Sequence, residues 1–233
     1  MAGSNTISEN IRQIQLRLDS YVLQYHRQRK ELRLLAVSKG HAAAALRQAY
    51  ACGLHEFGES YVQEAVTKIQ ALSDLAITWH FIGAIQSNKT RDIALHFDWV
   101  HSIDRLKIAQ RLSEQRPADK PPLQVCLQIN ISNEAGKSGI ALGELQQLAT
   151  AVAKLPGLQL RGLMALPQAS DDLNEQRQAF RQMHHAFMKL RSLGFMLDTL
   201  SMGMSGDMEA AIAEGSTLLR IGTAIFGERP TTR

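Results

Sequence analysis

Leu32-Arg33-Leu34-Leu35-Ala36-Val37-Ser38-Lys39, followed at once by Gly40, is the stretch that decides the fold. It is apolar and of strand length, and it delivers one primary amine to its carboxyl end, where the glycine turns the chain out of a sheet. In a parallel barrel that amine stands on the rim where such barrels carry their chemistry. Apolar packing around it disfavours the ammonium form, and a desolvated lysine is the nucleophile that forms Schiff bases with carbonyl compounds. A strand-end lysine taken alone is more often a solvated edge residue, so its surroundings decide.

Working outward, strand-like and helix-like segments alternate almost without interruption. The spacing of Ile11, Ile14, Leu18, Val22 and Tyr25 predicts an opening helix over 7–27. After Lys39, helices are expected over 42–51, 61–72 and 89–97, with strands over 54–57 (closed by Gly58), 79–82 (closed by Gly83) and 99–103. Asp104 is the expected N-cap of a helix carrying Leu106, Ala109 and Leu112. Strand five covers 123–129, and a helix from Leu142 stops at Lys154-Leu155-Pro156-Gly157. Strand six covers 158–164. A long helix follows, opened by Asp171-Asp172, buried through Phe180, Met183, Phe187 and Leu190, and closed at Gly194. Strand seven runs over 197–201, a short helix begins near Asp207, and strand eight runs over 218–221. Eight strands with intervening helices predict one (β/α)8 TIM barrel over 1–233, with an extra N-terminal helix. Gly40, Gly58, Gly83, Gly203 and Gly222 are all expected just after strands. A doubly wound open sheet would more often show Gly-x-Gly-x-x-Gly after strand one, and none is here.

Composition agrees with an α/β domain of this size. Of 233 residues, 45% are hydrophobic and 21% charged, enough for a sizeable core. The net charge of +4 suits an anionic small molecule, while the scattered basic residues argue against nucleic acid. Two cysteines rule out a disulfide framework, and Cys126, inside strand five, reads as a small buried hydrophobe. The eight histidines show no metal spacing; His184-His185 are neighbours on a helix and point to different faces. With no apolar signal core and no run approaching ~20 apolar residues, the expected setting is soluble and cytoplasmic, away from membranes.

Two late segments turn the barrel into a binding site. Ser201-Met202-Gly203-Met204-Ser205-Gly206-Asp207 leaves strand seven, and Arg220-Ile221-Gly222-Thr223 leaves strand eight. Barrels commonly hold a phosphate between those loops. Ser205 and Thr223 offer hydroxyls, while Gly206 and Gly222 let the backbone approach an anion closely. Strand alternation puts Leu218, Arg220 and Gly222 on one face, which makes Arg220 a cation near the mouth. A lysine at strand one with a phosphate site at strands seven and eight suits a phosphorylated aldehyde. Pyridoxal 5′-phosphate (PLP) meets every requirement, with its ring nitrogen within reach of Arg220.

At this point the sequence closely resembles the pyridoxal phosphate homeostasis protein family, single-domain relatives of the N-terminal barrel of alanine racemases. The likeness covers nearly the whole chain. It is carried by Ala36-Val37-Ser38-Lys39, Phe57-Gly58-Glu59, Trp79-His80-Phe81-Ile82-Gly83, Gln86-Ser87-Asn88-Lys89, Ser201-Met202-Gly203-Met204-Ser205 with Asp207-Met208, and Arg220-Ile221-Gly222-Thr223-Ala224-Ile225-Phe226-Gly227. The resemblance implies that Lys39 forms the Schiff base, that Ser205, Gly222 and Thr223 hold the phosphate, and that Arg220 faces the pyridine nitrogen. Ser60, Gly206 and His41 depart from the family's usual residues. Ser60 and His80 are further expected pocket residues, and Asn130 is either that or a satisfied core polar group.

Arg220 bears on mechanism. A guanidinium beside the ring nitrogen disfavours its protonation and weakens the ring as an electron sink. Racemisation also needs groups on both faces of the substrate. In alanine racemases the opposing tyrosine comes from a C-terminal domain, which a chain ending at Arg233 lacks. Of Tyr21, Tyr25, Tyr50 and Tyr61, only Tyr61 follows a strand. The expectation is therefore a monomeric, non-catalytic binder that buffers PLP in vitamin B6 homeostasis and delivers it to apo-enzymes. A PLP-dependent amino-acid racemase using Lys39 and Tyr61 is the alternative, and a Schiff-base aldolase a third reading. Lys137, after strand five, offers a second amine, though a solvated loop lysine is the plainer reading.

Overall fold

A computed structural model describes residues 6–132, 134, 136 and 138–229. Lys137 lies outside them. Eight parallel strands close in chain order: β1 (Arg33–Val37), β2 (Glu56–Glu59), β3 (Thr78–Phe81), β4 (Trp99–Ile103), β5 (Leu123–Ile129), β6 (Leu158–Ala165), β7 (Thr199–Ser201) and β8 (Leu218–Ile221). β8 returns to β1 with Leu35 opposite Arg220 and Ala36 opposite Ile221, which completes the barrel. After the successive strands come α2 (Ala43–Ala51), α3 (Val62–Ala71), α4 (Thr90–His96), α5 (Leu106–Gln115), α6 (Leu145–Val152), α7 (Leu173–Ser192), α8 (Met208–Ala213) and α9 (Thr223–Phe226). The expected extra helix is α1 (Ile7–Gln24), opened by a reciprocal Thr6–Glu9 capping box and buried through Ile11, Ile14, Leu18 and Val22. No helix among the described residues is long and apolar enough to cross a membrane.

Outward-facing strand residues and the apolar helix stripes form the main core, with Phe57, Phe81, Phe180 and Leu112 fully buried. The barrel interior differs. Its apolar part is the small cluster Trp99, Cys126 and Met164. At its amino-terminal end the Trp99 ring carries two guanidiniums, Arg33 at 4.8 Å and Arg161 at 5.0 Å from the centroid. Arg33 also donates to Thr199 Oγ1 at 3.0 Å, a contact between strands that are not neighbours and so meet only across the interior. Burial pushes the Cys126 thiol up to about 12, which keeps it an inert packing group.

The structure corrects several expected boundaries. β2 is shifted by two residues, so Gly58 lies within the strand rather than after it. A Cβ there would sit 3.2 Å from Leu35 Cδ2 and 3.3 Å from Ile82 Cδ1, so the glycine makes room inside the barrel. Arg105, not Asp104, is the N-cap of α5, and the Asp104 carboxylate instead accepts from Arg105 Nη1 at 3.0 Å. α1 ends at Gln24, where His26 takes the left-handed conformation (φ 53°) and turns the chain toward β1. β7 keeps only three residues because its partner β8 pairs with it at a single register position, Ser201 opposite Leu218.

Candidate active-site pocket

A cavity of about 330 Å3 opens at the carboxyl ends of β1 and β8, within the roughly 300–1,000 Å3 of small-molecule sites. It brings together seven of the eight expected residues: Lys39, Ser60, Ser205, Gly206, Arg220, Gly222 and Thr223. Val37, Ile82, Leu166 and Met204 supply the apolar wall, and His41 and Arg229 add two basic groups. A larger cavity of about 590 Å3, near Arg27, His184 and Glu214, shares none of these residues. It lies by the residues that precede β7 and β8, away from the rim where strand ends converge, so size does not select it.

Lys39 is held by the turn that carries it. Gly40 has φ +79°, a conformation that favours glycine, and the His41 N–H donates to Ser38 O at 3.1 Å to close the turn. Burial first, then the charge of Arg229, lowers the Lys39 pKa; the Glu59 carboxylate opposes this and Arg220 reinforces it. More free amine is therefore present at neutral pH than for a solvated lysine. His41 stacks on Phe226, with centroids 5.0 Å apart, and burial with the charges of Lys68 and Arg229 lowers its pKa as well.

Arg220 is 4% exposed. Its Nη1 donates to Ser201 O at 2.6 Å and Ser201 Oγ at 2.7 Å, and its Nη2 donates to Ala165 O at 2.8 Å. Burial lowers its pKa to about 10, so it stays a fixed cation at neutral pH. On the β7–α8 loop, Asp207 Oδ1 accepts the Met204 N–H at 2.5 Å, which folds the loop so that Ser205 and Gly206 face the cavity. The first N–H groups of α9 have no acceptor within that helix, leaving donors beside the Thr223 hydroxyl. The residues present thus fit a ligand with an amine-reactive group at one pole and an anion at the other.

Other candidates lie elsewhere. His80 is fully buried inside the barrel, its Nδ1 2.9 Å from His101 Nε2, and does not line the cavity. It sits on the third residue of β3, too deep for the mouth. Tyr61 is 61% exposed before α3 and also lies outside the lining. Asn130 closes its own turn, donating to Glu134 O at 2.9 Å and accepting from Glu134 N–H at 3.2 Å.

Sequence reasoning missed the network behind Lys39. Buried Lys68 donates to Ser38 O (2.7 Å), Glu59 Oε1 (2.7 Å) and Glu64 Oε1 (2.6 Å). Ser38 Oγ donates to Glu59 Oε1 at 2.6 Å, and the Gly40 N–H to Glu64 Oε1 at 2.6 Å. Both neighbours of Lys39 are thereby tied to carboxylates gathered by one ammonium. The signal was present: Lys68 stands on the buried stripe of α3 with Val62 and Ala65.

A closed barrel with an amine just after β1 and hydroxyl- and glycine-bearing loops after β7 and β8 places the chain in the alanine racemase N-terminal class, and the model of that family, "Alanine racemase, N-terminal domain", matches residues 6–230. Within that class the chain belongs to the pyridoxal phosphate homeostasis protein family. It is 57% identical over 225 residues to the protein of that name from Pseudomonas aeruginosa, covering 97% of this chain and 96% of the relative. The Escherichia coli K12 protein of the same name is 53% identical over 228 residues, covering 97% of each. Among solved structures, PipY of Synechococcus elongatus with PLP bound aligns at TM-score 0.83 and 35% identity, over 95% of this chain and 100% of PipY. An alanine racemase from Corynebacterium glutamicum shares the fold at TM-score 0.70 and 19% identity, this chain covering 60% of its length.

Proposed function

We propose that the chain is a non-catalytic PLP-binding protein of cytoplasmic vitamin B6 homeostasis, which holds the coenzyme covalently on Lys39 as a monomer and releases it to apo-enzymes. Bound PLP supplies an aldehyde to a primary amine and a phosphate to a donor cradle. Lys39 provides the amine, depressed in pKa by burial. Ser205, Gly206, Gly222 and Thr223 provide the cradle, Arg220 stands as a fixed cation toward the ring, and Ser60 lines the facing wall.

One observation carries the non-catalytic reading: no tyrosine and no carboxylate lines the cavity among the described residues. His41 comes from the same turn as Lys39, so it offers no group opposed to it. Two-sided proton transfer lacks its second partner, and the Arg220 guanidinium disfavours a protonated ring nitrogen.

The test is a visible spectrum of the purified protein before and after borohydride, beside Lys39→Ala. The wild type is expected to be yellow and to fix the coenzyme on reduction, and the variant to do neither. Persistent absorbance in the variant moves the link to another amine, with Lys137 next in line. Incubation with single amino-acid enantiomers in deuterated water separates the racemase reading: rapid loss of optical activity with α-deuterium uptake overturns the proposal.

A further inference from the structure

Beneath the pocket, four side chains that play no part in the proposed coenzyme contacts meet end to end through the barrel. Arg220 Nη1 donates to Ser201 Oγ at 2.7 Å, and Ser201 Oγ lies 2.9 Å from His101 Nδ1. His101 Nε2 is 2.9 Å from His80 Nδ1, and His80 Nε2 is 3.4 Å from Glu56 Oε2. Both rings and Ser201 are fully buried. Burial holds both imidazoles well below their ordinary pKa, helped at His80 by His101 and Arg33 and at His101 by Arg220 and Arg33. Both rings are neutral.

A neutral imidazole has one donor and one acceptor, so each ring passes a hydrogen bond on in a single sense. A guanidinium has no acceptor. Ser201 Oγ therefore receives from Arg220, and its one proton goes to His101 Nδ1. His101 then carries its proton on Nε2 and donates to His80 Nδ1. His80 in turn carries its proton on Nε2, aimed at Glu56 Oε2. His80 Nε2 and Glu56 Oε2 are both buried and neither has a hydrogen-bond partner, so the far end of the chain faces the carboxylate at 3.4 Å without a hydrogen bond to it. Burial raises the Glu56 pKa, and Arg33 Nη1, 3.7 Å from Glu56 Oε1, opposes that shift. The opposite sense leaves the Ser201 proton without an acceptor beside a guanidinium.

Arg220 gives its own hydrogen bonds to neutral oxygens only, those of Ser201 and Ala165. Asp207 acts on it through space. We propose that Ser201, His101 and His80 form a one-way hydrogen-bond relay that orients Arg220 and points its far end at the Glu56 carboxylate, whose polarity it brings to that cation. They are positioning residues for the ring-facing cation, and only this last role rests on the coenzyme reading.

The relay is tested first on coenzyme-free wild-type protein labelled with 15N in histidine. Long-range nitrogen–proton correlation is expected to show both His80 and His101 neutral, each with its proton on Nε2. A proton on Nδ1 of either ring, or a second proton at neutral pH, overturns the proposal. Glu56→Gln keeps the shape and an acceptor oxygen while removing the charge. It is expected to retain both tautomers, since Arg220 still sets the sense, and to lower by a few tenths of a unit the pH at which the bound coenzyme's visible band changes. Retained tautomers with an unmoved midpoint overturn the polarity role. A wild type with both Nε2 protons that takes up no coenzyme defeats the coenzyme reading and leaves the relay standing.

Discussion

Lys68 Nζ lies 2.7 Å from the carbonyl oxygen of Ser38, the residue before Lys39. The same ammonium is 2.7 Å from Glu59 Oε1, whose side chain is fully buried. Burial raises the Glu59 pKa even though Lys68 opposes it, so the pair is costly to desolvate and more costly to break. Lys68→Met is expected to destabilise the fold by about 3–5 kcal/mol, read from urea unfolding, because it leaves Glu59 buried and uncompensated. Adding Glu59→Gln should recover much of the loss. A single variant within 1 kcal/mol of wild type, on the order of a surface change, contradicts this account.

Arg229 works on Lys39 by charge. It is the second cause, after burial, of the lowered Lys39 pKa. Arg229→Gln removes a positive neighbour, which favours the ammonium form and raises the pKa. The initial rate of PLP uptake, followed by absorbance against pH, is expected to keep its shape and move to higher pH. A move to lower pH is incompatible with this reading.

Acid should unfold the protein through its barrel interior. His80 and His101 have folded pKa values well below the ordinary 6.5. Below that value the unfolded chain binds protons that the folded one refuses, so stability falls as pH drops. Two such groups contribute up to about 2.7 kcal/mol per pH unit at full slope. Urea midpoints measured from neutral pH down to about 5 should fall accordingly, and His101→Phe should flatten the curve. A midpoint that rises over this window is the contrary result.

The wall of the pocket at Thr223 depends on a distant tether. Asn10 Nδ2 in α1 donates to Ile225 O in α9 at 2.9 Å. A helix as short as α9 has little stability of its own and relies on such contacts. Asn10→Ala is expected to cost about 1 kcal/mol and to weaken coenzyme retention several-fold, measured by dialysis, although Asn10 does not line the pocket.

Periodicity made much of the fold legible. Strands β4 and β5 fall where alternation placed them, Trp99–Ile103 and Leu123–Ile129, because both are bounded by unambiguous breakers. β2 did not, since Gly58 reads as a terminator but serves as a space-maker between Leu35 and Ile82. The residues converging on the pocket were legible because Lys39, Ser205, Arg220, Gly222 and Thr223 sit at strand ends, where the topology fixes their rim. Depth within the barrel was not. His80 looks like a rim residue in sequence, and only the interstrand stagger places it beside His101. The Lys68 clamp was hidden for a related reason: Glu64 lies one turn away on the same helix, but Ser38 and Glu59 reach Lys68 only through tertiary packing.

The separation along the chain of Lys39 from Ser205, Thr223 and Arg229 also bears on synthesis. A ribosome makes Lys39 well before Ser205, Thr223 and Arg229. The cavity that all of them line therefore closes only after the β8 segment has been made, long after the amine itself.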